Sequence, residues 1–199
     1  DFQDDKVFAL MRVAGPNPLM LTRVDSLDDR FPVTEAMYQQ TLPADSLAAA
    51  AAEGRLYLAD FQILEQVQAG RIPAPKFVYA PLALFAVDRD TGDLVPVAIQ
   101  CAQQPGPANP IFTPQDGWGW MIAKTVVESA DGNVHEMVSH LGRTHLFLAP
   151  FAIATHRHLA ANHPLGVLLR PHFEGTFAIN HAAVEHLVNP HGPVDLLLA

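Results

Sequence analysis

Asn133-Val134-His135-Glu136-Met137-Val138-Ser139-His140-Leu141-Gly142-Arg143-Thr144-His145-Leu146 places three histidines at two successive intervals of five residues. On a regular α-helix a step of five residues turns about 500°, which leaves consecutive imidazoles roughly 140° apart and unable to share a ligand. One wide turn with i→i+5 bonding brings them almost onto a common face, and such turns occur mostly at functional sites. The spacing therefore predicts a locally widened helix that presents His140 and His145 to one metal ion. The structural alternative for any single histidine is a ring satisfied by a neighbour. A zinc-protease motif does not fit, because three residues separate Glu136 from His140 where that motif has two, so the pair misses i, i+4 alignment.

The wording around this run carries a more specific signal. His135-Glu136, Ser139-His140, Thr144-His145, Pro150-Phe151-Ala152-Ile153-Ala154-Thr155-His156-Arg157-His158-Leu159 and His163-Pro164 resemble the lipoxygenase family closely. The likeness continues through Leu168-Leu169, Pro171-His172, Thr176 and Ile179-Asn180, and it runs from about Trp120 to Asn189. The resemblance implies a non-haem iron dioxygenase. Hydrogen is taken from the doubly allylic carbon of a polyunsaturated fatty acid, and O2 adds to the opposite face of the pentadienyl radical. His140 and His145 match the family's first two iron ligands. His135 matches a histidine that lies near the iron without binding it. Glu136 stands where the family usually has Gln, in a hydrogen-bonded link between iron and substrate cavity; its alternative role is that of a solvated or helix-paired glutamate.

The same resemblance assigns the substrate side. Ala183 falls where the family carries Ala or Gly, and Ala goes with an S-configured hydroperoxide. Leu187 matches the leucine that clamps the pentadiene, and Val194 lies further along the cavity. Without the family pattern these three aliphatics read as core. The sequence departs from the pattern at Leu141, Gly142, Ala149 and Val184. His181, His186 and His191 repeat the five-residue interval, but Pro190 and Gly192 interrupt a helix there, so these read as surface histidines.

Composition bounds the remaining readings. The 199 residues are 49% hydrophobic and 17% charged, which suits a soluble globular protein able to bury a sizeable core. A net charge of −9 makes nucleic acid and anionic membrane surfaces poor partners, since both require clustered Lys and Arg. Cys101 is the single cysteine, which excludes an internal disulfide and makes core packing its expected role. No apolar run approaches the ~18 residues that span a bilayer. A soluble, cytoplasmic location is favoured, and a peripheral place on a membrane stays open.

Along the chain, residues 1–15 have helix-like spacing and stop at Gly15-Pro16-Asn17-Pro18. Thr34 caps a short helix to Gln40, and Asp45 or Ser46 caps the alanine-rich helix Leu47 to Glu53. Arg55 to Phe61 reads as a strand. Lys76 to Asp88 and Leu94 to Cys101 form a β-hairpin through Arg89-Asp90-Thr91-Gly92-Asp93. Trp118 to Ala130 is an amphipathic helix broken by Asp131-Gly132, and Asn133 caps the next. Pro150 suits the first turn of a helix from Phe151 to Ala161; His163-Pro164 opens a short helix to Leu169, and the last runs from Thr176 to Val188.

The fold class expected is mainly α with a small β-hairpin or sheet subdomain, a partial lipoxygenase-type helical catalytic domain. Residues 1–115 form its mixed α/β front part and 116–199 the helical iron-site and cavity part, together a fragment of one larger domain. The chain starts at Asp1 rather than Met and stops in the apolar run Leu196-Leu197-Leu198-Ala199, so a longer polypeptide is expected to complete it. The family's remaining ligands come from later helices and a C-terminal carboxylate. The partners expected are thus a polyunsaturated fatty acid, O2 and the rest of the polypeptide. The alternatives are a non-catalytic lipid-binding or scaffold fragment and, more distantly, a metal-dependent hydrolase.

Overall fold

The computed structural model describes residues 1–198 and divides into two compact units. The first comprises Asp1–Gln68 with Val78–Val134; the second comprises Ala69–Phe77 and the chain from His135 onward.

In the first unit, α1 (Asp5–Ala14) starts where the Asp4 carboxylate accepts from the Lys6 and Val7 amides. This cap satisfies two of the orphan donors of the first turn. Strand β1 (Leu21–Arg23) follows a short 3₁₀ turn. Helix α2 (Glu35–Gln39) is capped by Thr34 as expected. Helix α3 (Leu47–Ala52) is capped by the Ser46 hydroxyl, while the Asp45 carboxylate binds Arg55. Strands β2 (Leu56–Asp60), β3 (Leu82–Val87), β4 (Leu94–Gln100) and β5 (Ile111–Phe112) complete an antiparallel sheet in simple sequential order.

The sheet is larger than the expected hairpin. Strands β1 and β5 are three and two residues long, too short for an alternating pattern to reveal them. The run from Lys76 becomes a strand only at Leu82. Pro81, just before it, lacks the N–H that a ladder position must donate. Strand β3 is buried on both faces. Leu82, Leu84 and Ala86 join Tyr38, Ala50 and Phe31 in one cluster, and Phe85 points the other way to stack on Phe8 at 5.7 Å. Phe8 in turn meets the edge of Trp120 at 6.5 Å.

Helix α4 (Trp118–Val134) corrects one expectation: it runs straight through Asp131-Gly132. A helical glycine costs only about 1 kcal/mol, which tertiary contacts offset here. Asp131 is buried and accepts from Asn17 Nδ2 at 3.0 Å, and its backbone carbonyl accepts from the same amide at 2.8 Å. Asn133 does not begin a new helix; its side chain donates back to the Ser129 carbonyl at 2.9 Å.

The second unit starts with a π-helix, His135–Leu146. It continues through α5 (Ala149–His158), α6 (Pro164–Leu169), α7 (Thr176–His186) and α8 (Pro193–Leu197). Pro150, Pro164 and Pro193 each sit in a first turn, where a missing N–H is tolerated. Helix α8 lies beyond the helix expected to be last. Lys76 secures its end by donating to the carbonyls of Asp195, at 2.8 Å, and Leu198.

This unit has almost no core. From His135 onward the buried described residues are Ala152, Thr155, Gly166 and Gly192. Phe147, Phe151, Leu165, Val167 and Leu168 are each more than half exposed.

Candidate metal centre

The widened turn expected around His140 is a π-helical run of twelve residues. The longer run accommodates both five-residue intervals, so all three histidines pack in sequence on one side. The rings of His135 and His140 stack at 5.6 Å, and those of His140 and His145 meet edge to face at 4.9 Å. Thr144 helps to fill the loosened ladder, its hydroxyl donating to the carbonyls of His140 and, at 3.2 Å, Ser139.

Each of the two facing rings is held by its far nitrogen. Nδ1 of His140 lies 3.3 Å from Glu136 Oε2, and Nδ1 of His145 lies 2.8 Å from Asn180 Oδ1. Both partner atoms are acceptors, which places the proton on Nδ1 and leaves a lone pair on Nε2. The two Nε2 atoms are 3.1 Å apart. Metal–imidazole bonds of about 2.1 Å set at right angles place two nitrogens about 3.0 Å apart, so the pair fits neighbouring positions on an octahedral ion. Hydrogen-bonded histidines of this kind are the usual support of a metal ligand.

Glu136 joins His135 and His140 in a second constellation. Its carboxylate reaches Nδ1 of His140 and approaches Nε2 of His135 at 3.8 Å. Ligand atoms of these three residues all lie within 4.8 Å of one another, but His140 and Glu136 are about half exposed, and His145 stands outside the group.

Beside the imidazoles lies a predominantly apolar hollow of about 170 Å³. Its lining includes Glu136, His140, His145, Ala183, Leu187 and Val194, so six of the seven residues singled out from the sequence are brought together. His135 is the exception. Met137, Leu141, Ile179 and Val188 also line it and had not been singled out. That is below the roughly 300–1,000 Å³ typical of small-ligand sites, and the lining is mostly apolar.

Asn180 went unassigned in the sequence, although it belongs to the quoted Ile179-Asn180 phrase. Its spacing from Ala183 and Leu187, i, i+3 and i+7, marks one face of α7 and was the available signal. The other histidines lie apart from the hollow. His181 and His186 are largely exposed beside Glu185, His163 caps α6, and His156 faces the Phe173 ring.

A five-residue histidine pair on a π-helix, with its nitrogens converging beside an apolar hollow, is an arrangement that could hold a metal ion. The lipoxygenase family profile matches residues 1–198, and the chain belongs to that family.

It is 46% identical to a linoleate 9/13-lipoxygenase of Pseudomonas aeruginosa, over all of this chain and 30% of that protein. It is 43% identical to a polyunsaturated fatty acid lipoxygenase of Rattus norvegicus, over 98% of this chain and 29% of that one. Among solved structures, a calcium-dependent 11R-lipoxygenase superposes with a TM-score of 0.89 at 35% identity, covering 96% of this chain and 28% of its own. A manganese lipoxygenase of Gaeumannomyces graminis superposes with a TM-score of 0.80 at 26% identity, covering 96% of this chain and 33% of its own. The chain thus spans about a third or less of the length of these relatives.

Proposed function

We propose that this chain is the front part of a lipoxygenase catalytic domain and supplies two metal ligands and one wall of the fatty-acid cavity. The observation that carries the reading is the 3.1 Å approach of the Nε2 atoms of His140 and His145 beside the hollow lined by Ala183, Leu187 and Val194. His140 and His145 would hold a non-haem metal, iron by family and with manganese as the competing ion. Bound there, the metal supplies the one-electron chemistry that removes a hydrogen from a 1,4-pentadiene.

The residues of this chain bind and orient. Leu187 and Val194 replace water around the acyl chain, and Ala183 sets which face of the pentadiene has room for O2. Glu136 holds the proton on His140 Nδ1. The product of this arrangement is a fatty-acid hydroperoxide of S configuration.

Two imidazoles leave four of six octahedral positions to other donors. We assign those positions to a longer polypeptide of which the 1–115 and 116–199 segments form one catalytic domain. The bare apolar faces of α5 and α6 agree with this, because exposed patches of that kind mark surfaces that another segment covers.

Metal analysis of the complete polypeptide, run beside the linoleate-dependent absorbance of conjugated diene, tests the reading. Stoichiometric iron or manganese with diene formation is expected. Metal-free protein that binds linoleate without turnover would instead identify a lipid-binding scaffold, and zinc without oxygen uptake a hydrolase.

A further inference from the structure

Asn180 on α7 makes two hydrogen bonds to a single residue of the π-helix. Its Nδ2 donates to the backbone carbonyl of His145 at 3.2 Å, and its Oδ1 lies 2.8 Å from Nδ1 of the same residue's ring. The two ends of the amide are not interchangeable there. A carbonyl oxygen only accepts, so the NH2 group must face it, which turns Oδ1 toward the ring. Oδ1 in turn only accepts, so the ring must present Nδ1–H. The lone pair of His145 is thereby confined to Nε2, the atom 3.1 Å from Nε2 of His140.

We propose that Asn180 is the positioning residue that fixes the tautomer and ring angle of His145, and thereby sets the affinity of the histidine pair for a divalent first-row metal. The inference rests on the reading of His140 and His145 as metal ligands.

The contrast with His140 supports it. The partner of that ring is Glu136, four residues away on the same helix, at 3.3 Å and about half exposed. A neighbour within the helix can fix a tautomer, but it cannot tie the ring to anything outside the helix. Asn180 reaches across 35 residues of sequence and grips both backbone and ring. It also lies on the same side of α7 as Ala183, which lines the hollow together with Leu187 at the helix's C-cap. One amide therefore relates the direction of a metal-binding lone pair to the position of the substrate wall. Its loss would disturb both.

Three variants of the complete polypeptide separate the possible roles. Asn180→Leu keeps the number and branching of side-chain heavy atoms but makes neither hydrogen bond. Asn180→Asp keeps an acceptor for Nδ1–H and loses the donor to the backbone. His145→Ala removes the ring itself.

Fe(II) affinity is measured anaerobically by competition with a chelator, and the ring tautomer by ¹⁵N NMR of histidine-labelled metal-free protein. Asn180→Leu is expected to weaken Fe(II) binding about 10–100-fold, the range typical of lost ligand support, and to mix the tautomers of one histidine. Asn180→Asp is expected to keep a single Nδ1–H tautomer and most of the affinity. An affinity for Asn180→Leu within threefold of wild type, with His145→Ala strongly weakened, overturns the role of Asn180 alone. Equal losses in the Leu and Asp variants, with lowered melting temperatures, also overturn it, since Asn180 then serves only to dock α7. Unchanged affinity in His145→Ala overturns the metal pair itself, and the proposal with it.

Discussion

Nε2 of His145 faces Nε2 of His140 across 3.1 Å, although the two residues would point some 140° apart on a regular helix. Two lone pairs brought this close repel one another unless a cation or a proton lies between them. The π-helical run His135–Leu146 holds them there. On the proposed reading a metal ion occupies the position between the two rings. Replacing either histidine by alanine in the complete polypeptide is therefore expected to lower metal affinity by more than about 100-fold, beyond what the loss of a supporting hydrogen bond costs. The isolated 199-residue chain is expected to bind iron weakly and to form no conjugated diene from linoleate. Tight stoichiometric iron in that chain would contradict the assignment of the other ligands to a longer polypeptide.

Ala183 lines the hollow three residues along α7 from Asn180, and the proposed function makes it the residue that sets the handedness of the product. On that reading its methyl group fills space that O2 would otherwise enter. Ala183→Gly in the complete polypeptide is expected to raise the share of R hydroperoxide at the expense of S. Chiral chromatography of the reduced products checks this, and an unchanged ratio would remove Ala183 from the oxygen path.

Arg12 is buried between two carboxylates. It donates to Glu128 at 2.8 Å and lies 3.4 Å from Asp131, with the three side chains 2%, 17% and 5% exposed. Burial pushes the Glu128 carboxyl above the usual range, and the guanidinium of Arg12 opposes that rise. Arg12→Leu leaves Asp131 and Glu128 facing each other without their cation. The expected loss is about 3–5 kcal/mol, the usual cost of removing one partner from a buried ion pair. Adding Glu128→Gln and Asp131→Asn should restore part of it. Denaturant midpoints for the single and triple variants decide the matter, and identical midpoints for Arg12→Leu and wild type would refute it.

Asp45 offers a test by pH. Arg55 donates to both of its carboxylate oxygens, at 2.6 and 3.0 Å, and the Ser46 amide and Tyr38 hydroxyl add bonds at 2.9 Å each. These bonds, Arg55's foremost, hold the Asp45 carboxyl well below the usual carboxylate range. The folded value lies under the unfolded one, so this stabilisation is complete above about pH 4 and drains away as the pH falls further. Asp45→Asn is expected to cost about 1–3 kcal/mol at pH 7 and to flatten the acid limb of the stability curve. Urea melts between pH 7 and pH 3 measure both effects. Equal acid limbs for variant and wild type would exclude the mechanism.

Cys101 carries the opposite shift: burial pushes its thiol up to about 11. The thiol stays protonated at neutral pH and is a poor nucleophile. Alkylation at pH 8 is expected to be slow in the folded protein and fast in urea. Rapid alkylation of the native chain would show that the thiol is accessible after all.

Local chemistry made much of this protein legible in its sequence. Thr34 and Ser46 cap their helices because hydroxyls reach amides three residues on, and the Asp-Gly loop at 88–93 closes a hairpin because Gly92 takes a positive φ. The five-residue histidine interval could bring its rings together only by widening the helix, and the helix is wide. Interactions between distant parts of the chain decided the rest. Helix α4 passes through Asp131-Gly132 because Asn17, more than a hundred residues earlier, supplies Asp131 with its hydrogen bonds. Strands β1 and β5 exist because β2 and β4 offer them edges, not because two or three residues prefer to be extended. Asn180 meets His145 for the same kind of reason. An asparagine within a helix can bond to many partners, and only the packing of α7 beside the π-helix selects this one.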